Sequence, residues 1–138
     1  MSFASRNVNS LHRISLKTNW KVDAQTEQAE PNRMDILAFR SFHRPTGLSN
    51  GQIVRFCLEP ALADLHFLIN GFSRPLIVIG GLATVPITDL MESINRVELR
   101  WRGDPMTTPQ LPEHFAAWLE ISTLLADHHQ IHVNPFFL

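Results

Sequence analysis

Ala63-Asp64-Leu65-His66-Phe67-Leu68-Ile69-Asn70-Gly71 is the stretch on which the reading of this chain turns. Ala63, Leu65, Phe67 and Ile69 alternate with Asp64, His66, Leu68 and Asn70. That period of two is the mark of a half-buried strand, which sends successive side chains to opposite faces. The run ends on Asn-Gly, the pair favoured in a type I′ hairpin turn because both central residues need positive φ there. A return arm is expected from about Phe72 to Ile79, and Gly80-Gly81 permits a further turn or bulge before an extended run over Ala83 to Ile87.

The same rhythm recurs on both sides. Ile14, Leu16, Thr18, Trp20 and Val22 fall on one face of a first strand, with Arg13, Ser15, Lys17, Asn19 and Lys21 on the other. Asp23 to Arg33 is polar and reads as a mobile loop. Asp35 to His43 reads as a strand covered on both sides, because Ile36, Ala38 and Phe42 compete with Leu37 and Phe39 for the buried face. Arg44 to Gly51 is a turn. Gln52 to Glu59 is a strand with Val54, Phe56 and Leu58 in phase, stopped by Pro60, which has no N–H for a ladder.

Thr88-Asp89-Leu90-Met91-Glu92 reads as one helical turn capped by Thr88 or Asp89, with Glu92 three residues after Asp89. Asn95 to Arg102 has the cleanest alternation, Val97, Leu99 and Trp101 against Arg96, Glu98, Arg100 and Arg102. Pro105, Pro109 and Pro112 mark a loop. A last strand is expected from Phe115 to Ser122, followed by a tail, 122–138, packed on the domain or at an interface. Short strands between Gly- and Pro-rich turns, with one brief helical signal, predict an all-β fold, an antiparallel β-sandwich.

The bulk properties bound the function. A chain of 138 residues, 44% hydrophobic and 18% charged, suits one folded domain over 11–138 behind a polar, flexible N-terminus, 1–10. A formal net charge of -1 supplies no global field for nucleic acid or an anionic membrane. The longest apolar run, Pro75 to Val85, is broken by Gly80-Gly81 and is too short to span a bilayer. With no apolar signal in Met1 to Ser10, cytoplasmic residence is expected. The single cysteine, Cys57, lies in an apolar run and reads as core filler rather than nucleophile.

Three pieces carry a more specific resemblance: Leu65-His66-Phe67-Leu68-Ile69-Asn70-Gly71, then Pro86-Ile87-Thr88-Asp89-Leu90, then Asn95-Arg96-Val97-Glu98-Leu99. In order and spacing they resemble the jelly-roll sugar-binding domain of glycoside hydrolase family 2 enzymes, a relative of the galactose-binding-like domains. The resemblance runs from Ile53 to Trp101, and Ser93 stands where that family usually has a glycine. It implies a jelly-roll, galactose-binding-like scaffold. The family's catalytic carboxylates belong to a separate barrel domain, so no catalytic residue carries over, and scaffold does not fix function.

Candidate chemistry is sparse. Carbohydrate recognition calls for an exposed aromatic beside polar groups. Trp20 and Trp101 are in phase with aliphatic neighbours and read as core. Trp118 shares a face with Ala116 and Glu120, opposite Ala117, Leu119 and Ile121, and is the best sugar-platform candidate, against packing under the tail or at a subunit contact. Asp64 and His66 share a strand face and form a polar site with Asn70 if that face is not merely solvated. The Arg96, Glu98, Arg100 and Arg102 face offers Arg100 to an anionic partner, against a solvated mixed-charge face. The ligand-binding candidates are therefore Trp118, Glu120, Asp64, His66 and Arg100.

His128, His129 and His132 are the densest group of metal-ligand types, but no HExxH pattern accompanies them, and a solvated tail is the plainer reading. No phosphate loop, nucleophile elbow or calcium loop is present. The expectation is a non-catalytic module without metal or cofactor, binding a glycan or a protein. The alternative is an interaction protein that forms a homo-oligomer through an edge strand or its apolar tail.

Overall fold

In the computed structural model, which describes residues 8–26, 34–104, 106 and 108–124, the alternating segments become ten strands. They are β1 (Val8–Ser15), β2 (Lys21–Thr26), β3 (Met34–His43), β4 (Gln52–Glu59), β5 (His66–Ile69), β6 (Phe72–Arg74), β7 (Ile77–Ile79), β8 (Leu82–Pro86), β9 (Ile94–Gly103) and β10 (Ala116–Leu124). All pairings are antiparallel. The first sheet has the order β1-β10-β4-β8-β7 and the second β2-β3-β9-β5-β6. The two pack as a β-sandwich around Phe56, Leu58, Phe67, Ile69, Leu99 and Leu119, all at most 1% exposed.

The Asn70-Gly71 turn forms as its chemistry demands. Asn70 has φ 51° and Gly71 φ 85°, and the turn seats Ile69 opposite Phe72. Asn70 does more than turn the chain. Its Nδ2 donates to the Leu90 carbonyl (2.9 Å) and to Asn95 Oδ1 (3.0 Å), while its Oδ1 accepts from the Arg96 amide (2.9 Å). Asn95 Oδ1 also accepts from the Glu92 amide (2.7 Å), and its Nδ2 donates to the Glu92 carbonyl (2.9 Å). The hairpin, the turn at Thr88–Leu90 and the start of β9 are thus one hydrogen-bonded unit.

The helical turn is a single 3₁₀ turn, Thr88–Leu90, without a side-chain cap. The two residues expected to cap it have other partners. Thr88 Oγ1 accepts from the Val54 amide of β4 (2.9 Å), and Asp89 takes Arg74 in a two-point ion pair (2.9 and 2.5 Å). Arg74 also donates to the Pro86 carbonyl (3.0 Å), tying β6 to β8 across the two sheets.

Other strand expectations change where the chain passes between sheets. The strand expected over Ile14–Val22 is two strands, β1 in the first sheet and β2 in the second. Asn19 at φ 69° turns the crossing, and the Trp20 indole donates to the Leu16 carbonyl (2.5 Å). Leu16 and Trp20 both pack on the core from this crossover, which preserves the period without a strand. Val8–Ser10, expected to belong to a flexible N-terminus, lie in β1, and Thr123 and Leu124, expected in the tail, lie in β10. Asp23–Thr26, expected in a loop, pair with β3, since an edge strand tolerates polar side chains.

The strand expected from Ala63 begins only at His66, because Asp64 adopts φ 56°. The return arm splits at Pro75 into β6 of the second sheet and β7 of the first. At this side the sandwich is open. Phe72 and Val78 sit opposite the buried Ile69 and Ala83, yet are 58% and 56% exposed. The start and end of the chain, residues 1–7 and 125–138, lie outside the described residues, and the tail expectations fall there.

Candidate functional site

The outer face of the second sheet holds a cavity of about 670 Å³, within the range of small-molecule sites. Its floor includes the half-buried Leu37 of β3 and Leu68 of β5. Alternation along β3, β5 and β9 turns Ile36, Phe67 and Leu99 into the core and leaves these outward neighbours to face solvent. Register then sets the rows: Leu37 opposite Arg100 and Arg100 opposite His66, with Asp35 opposite Arg102. Asp64, in the left-handed conformation that Asp tolerates better than most residues, stands just before β5. Ser73 of β6, opposite Leu68, closes the far side.

The site is built from donors and acceptors held near one another. Asp64, His66, Ser73 and Arg102 are exposed, and among the described residues their side chains make no hydrogen bond or ion pair. Arg100 Nη2 donates to Glu98 Oε2 (3.2 Å), while Arg96 Nε donates to Glu98 Oε1 (3.1 Å) and its guanidinium lies over Phe39, 4.1 Å from the ring centre. Glu98 therefore stiffens the basic ladder of β9 at one edge of the cavity, leaving Arg102 free at the other.

Three of the five sequence candidates, Asp64, His66 and Arg100, meet here. The polar trio of Asp64, His66 and Asn70 does not form, because Asn70 spends its side chain on Leu90, Asn95 and Arg96. Trp118 and Glu120 lie on the other sheet, beside β1 and β4. Trp118 is half-buried, and the Arg13 guanidinium lies over its ring, 5.3 Å from the centre, so it is not an open stacking surface. Its indole nitrogen is buried without a partner among the described residues. Arg13 also reaches Glu120 at 3.9 Å.

Asp35, Ser73 and Arg102 are the site residues that sequence reasoning missed as ligand candidates. Arg102 was legible as a face-mate of Arg100. Asp35 and Ser73 enter only through strand register, which alternation does not specify.

Cys57 is outward-facing on β4 between Trp118 and Thr84 but only 1% exposed. Burial, reinforced by the Glu120 carboxylate and opposed by Arg13 and Arg55, pushes its thiol up from 9.0 to about 11. A thiol held protonated is no nucleophile at neutral pH. The unfolded chain loses this proton at lower pH than the folded one, so folding stability should fall as pH rises from about 9 toward 11, by about 1 kcal/mol at pH 10. Urea denaturation at pH 8 and pH 10 checks this, helped by the absence of tyrosine. Cys57→Ala should flatten the slope, and an unchanged slope would refute the assignment.

Among the described residues no cluster of three or more His, Cys, Asp or Glu could hold a metal ion, and no helix is long and apolar enough to cross a membrane. His128, His129 and His132 lie outside the described residues.

No protein-family model matches the chain, and no curated protein matches it in sequence. Among solved structures it is similar to the crystal structure of an FMN-binding β-glucuronidase from Facaelibacterium prausnitzii L2-6, with a TM-score of 0.55 and 17% identity. The match covers 81% of this chain and 22% of that one. At this identity the likeness is one of fold: the two-sheet antiparallel sandwich described above also occurs as part of a much longer glycosidase.

Proposed function

We propose that the chain is a non-catalytic binding module of jelly-roll, galactose-binding-like type, and that its ligand is a carbohydrate seated in the outer cavity of the second sheet. The observation that carries this is the set of unpartnered donors and acceptors, Asp64, His66, Ser73 and Arg102, above the apolar floor of Leu37 and Leu68. A sugar presents hydroxyls to the first and C–H faces to the second. Similarity of fold to part of a β-glucuronidase supports the reading. Among the described residues Ser73 and His66 line the cavity without a hydrogen bond between them, and we read the site as one for binding rather than turnover.

A glycan array tests the proposal. Binding of the labelled protein to at least one carbohydrate is expected, with loss in Arg102→Ala, whose exposed side chain has no hydrogen bond or ion pair to lose among the described residues. An array without signal at millimolar sensitivity would refute it.

A second reading, self-association, is favoured by β7. This strand ends the first sheet, and Ile77, Val78 and Ile79 are 57%, 56% and 75% exposed, without the charge that usually protects an edge. Light scattering showing only monomer at high concentration would remove it.

A further inference from the structure

We infer that the cavity takes a neutral, hydroxyl-rich sugar ring and discriminates against one that carries a carboxylate. This rests on the carbohydrate reading of the same site and adds its charge selectivity.

The strand registers set the balance of charge. Arg102 stands opposite Asp35, and Asp64 lies two residues before His66, which stands opposite Arg100. Two guanidinium groups thus share the cavity with two carboxylates. Arg100 is further engaged by Glu98, a third carboxylate at its edge. Recognition of an anion depends on positive charge left over after the protein's own carboxylates are served. Here the lining brings no net positive charge, its two guanidinium groups being matched in number by the carboxylates of Asp35 and Asp64.

The individual groups point the same way. The exposed Asp64 carboxylate can only accept hydrogen bonds, so it calls for a ligand that donates and repels one that brings its own carboxylate. Arg102 can only donate and calls for a ligand that accepts. A sugar hydroxyl does both, and the hydroxyl of Ser73 and the imidazole of His66 can serve either role. Leu37 and Leu68 supply the apolar contact for the face of the ring.

The test uses methyl glycosides in matched pairs, each neutral hexoside against the uronide that differs only in a carboxylate at C6, in the gluco, galacto and manno series. Amide shifts of the ¹⁵N-labelled protein report binding. In at least one series the neutral member should shift amides of residues 64–68 and 100–102 and bind about fivefold more tightly than its uronide, the effect of one like-charge contact near a protein surface. Asp64→Asn, which keeps a side chain that tolerates the positive φ, should shrink that ratio to less than about twofold. Uronides that bind as tightly as their neutral partners, or tighter, would overturn the selectivity and leave the carbohydrate reading standing. No shift with any of these glycosides would count against the carbohydrate reading itself. A ratio unchanged in Asp64→Asn would overturn the role of Asp64.

Discussion

Asn95→Ala should lower the unfolding free energy by roughly 3–4 kcal/mol, a large effect for removing one polar side chain. Asn95 is 1% exposed, and its amide serves the Glu92 amide, the Glu92 carbonyl and the Asn70 side chain, all at 3.0 Å or less. Alanine would leave those groups to find water in a place that admits little. Asn95→Asp separates shape from hydrogen bonding. It keeps the size but replaces the donor facing the Glu92 carbonyl with an acceptor and buries a charge, so a loss of about 2–4 kcal/mol is expected, smaller at acid pH where the carboxyl can donate. Urea denaturation checks both variants. A loss under about 1 kcal/mol for Asn95→Ala would show that the network is not holding the turn.

Phe56→Ala should cost about 4 kcal/mol and lower Tm by roughly 15 °C. Phe56 is fully buried on β4, lies 5.0 Å from the Phe67 ring at a tilt of 33°, and meets Trp20 edge-on at 6.4 Å. These rings join the two sheets to the Leu16–Trp20 crossover, so the cavity left by alanine would have walls from three parts of the chain and little freedom to collapse. Phe56→Leu should recover most of the loss. Thermal unfolding followed by circular dichroism measures both, and a near-neutral Phe56→Ala would mean that the sheets close over the gap.

Much of the sandwich was legible because its signals are local. The alternation of β4 and β9 and the positive φ demanded by Asn70-Gly71 are written within a few residues of where they act. Short range also explains the errors. Leu16 and Trp20 keep the spacing of a strand while carrying the chain between sheets, because a period records which side chains are buried and not the path that buries them. Pro75 was visible, but its consequence, that β6 and β7 belong to different sheets, was not.

The candidate site was half legible. Asp64, His66 and Arg100 stood out as polar residues on wet faces, and the same reasoning attached Trp118 and Glu120, which lie on the opposite sheet. By itself the sequence determined that this chain builds an antiparallel sandwich around the Asn70-Gly71 hairpin, because φ preference and side-chain alternation are properties of neighbouring residues. Only the tertiary structure decided that Asp35, Arg102 and Ser73 join Asp64 and His66, and that Asn70 turns inward to Asn95. Strand register brings together residues dozens of positions apart, and no local pattern carries that pairing.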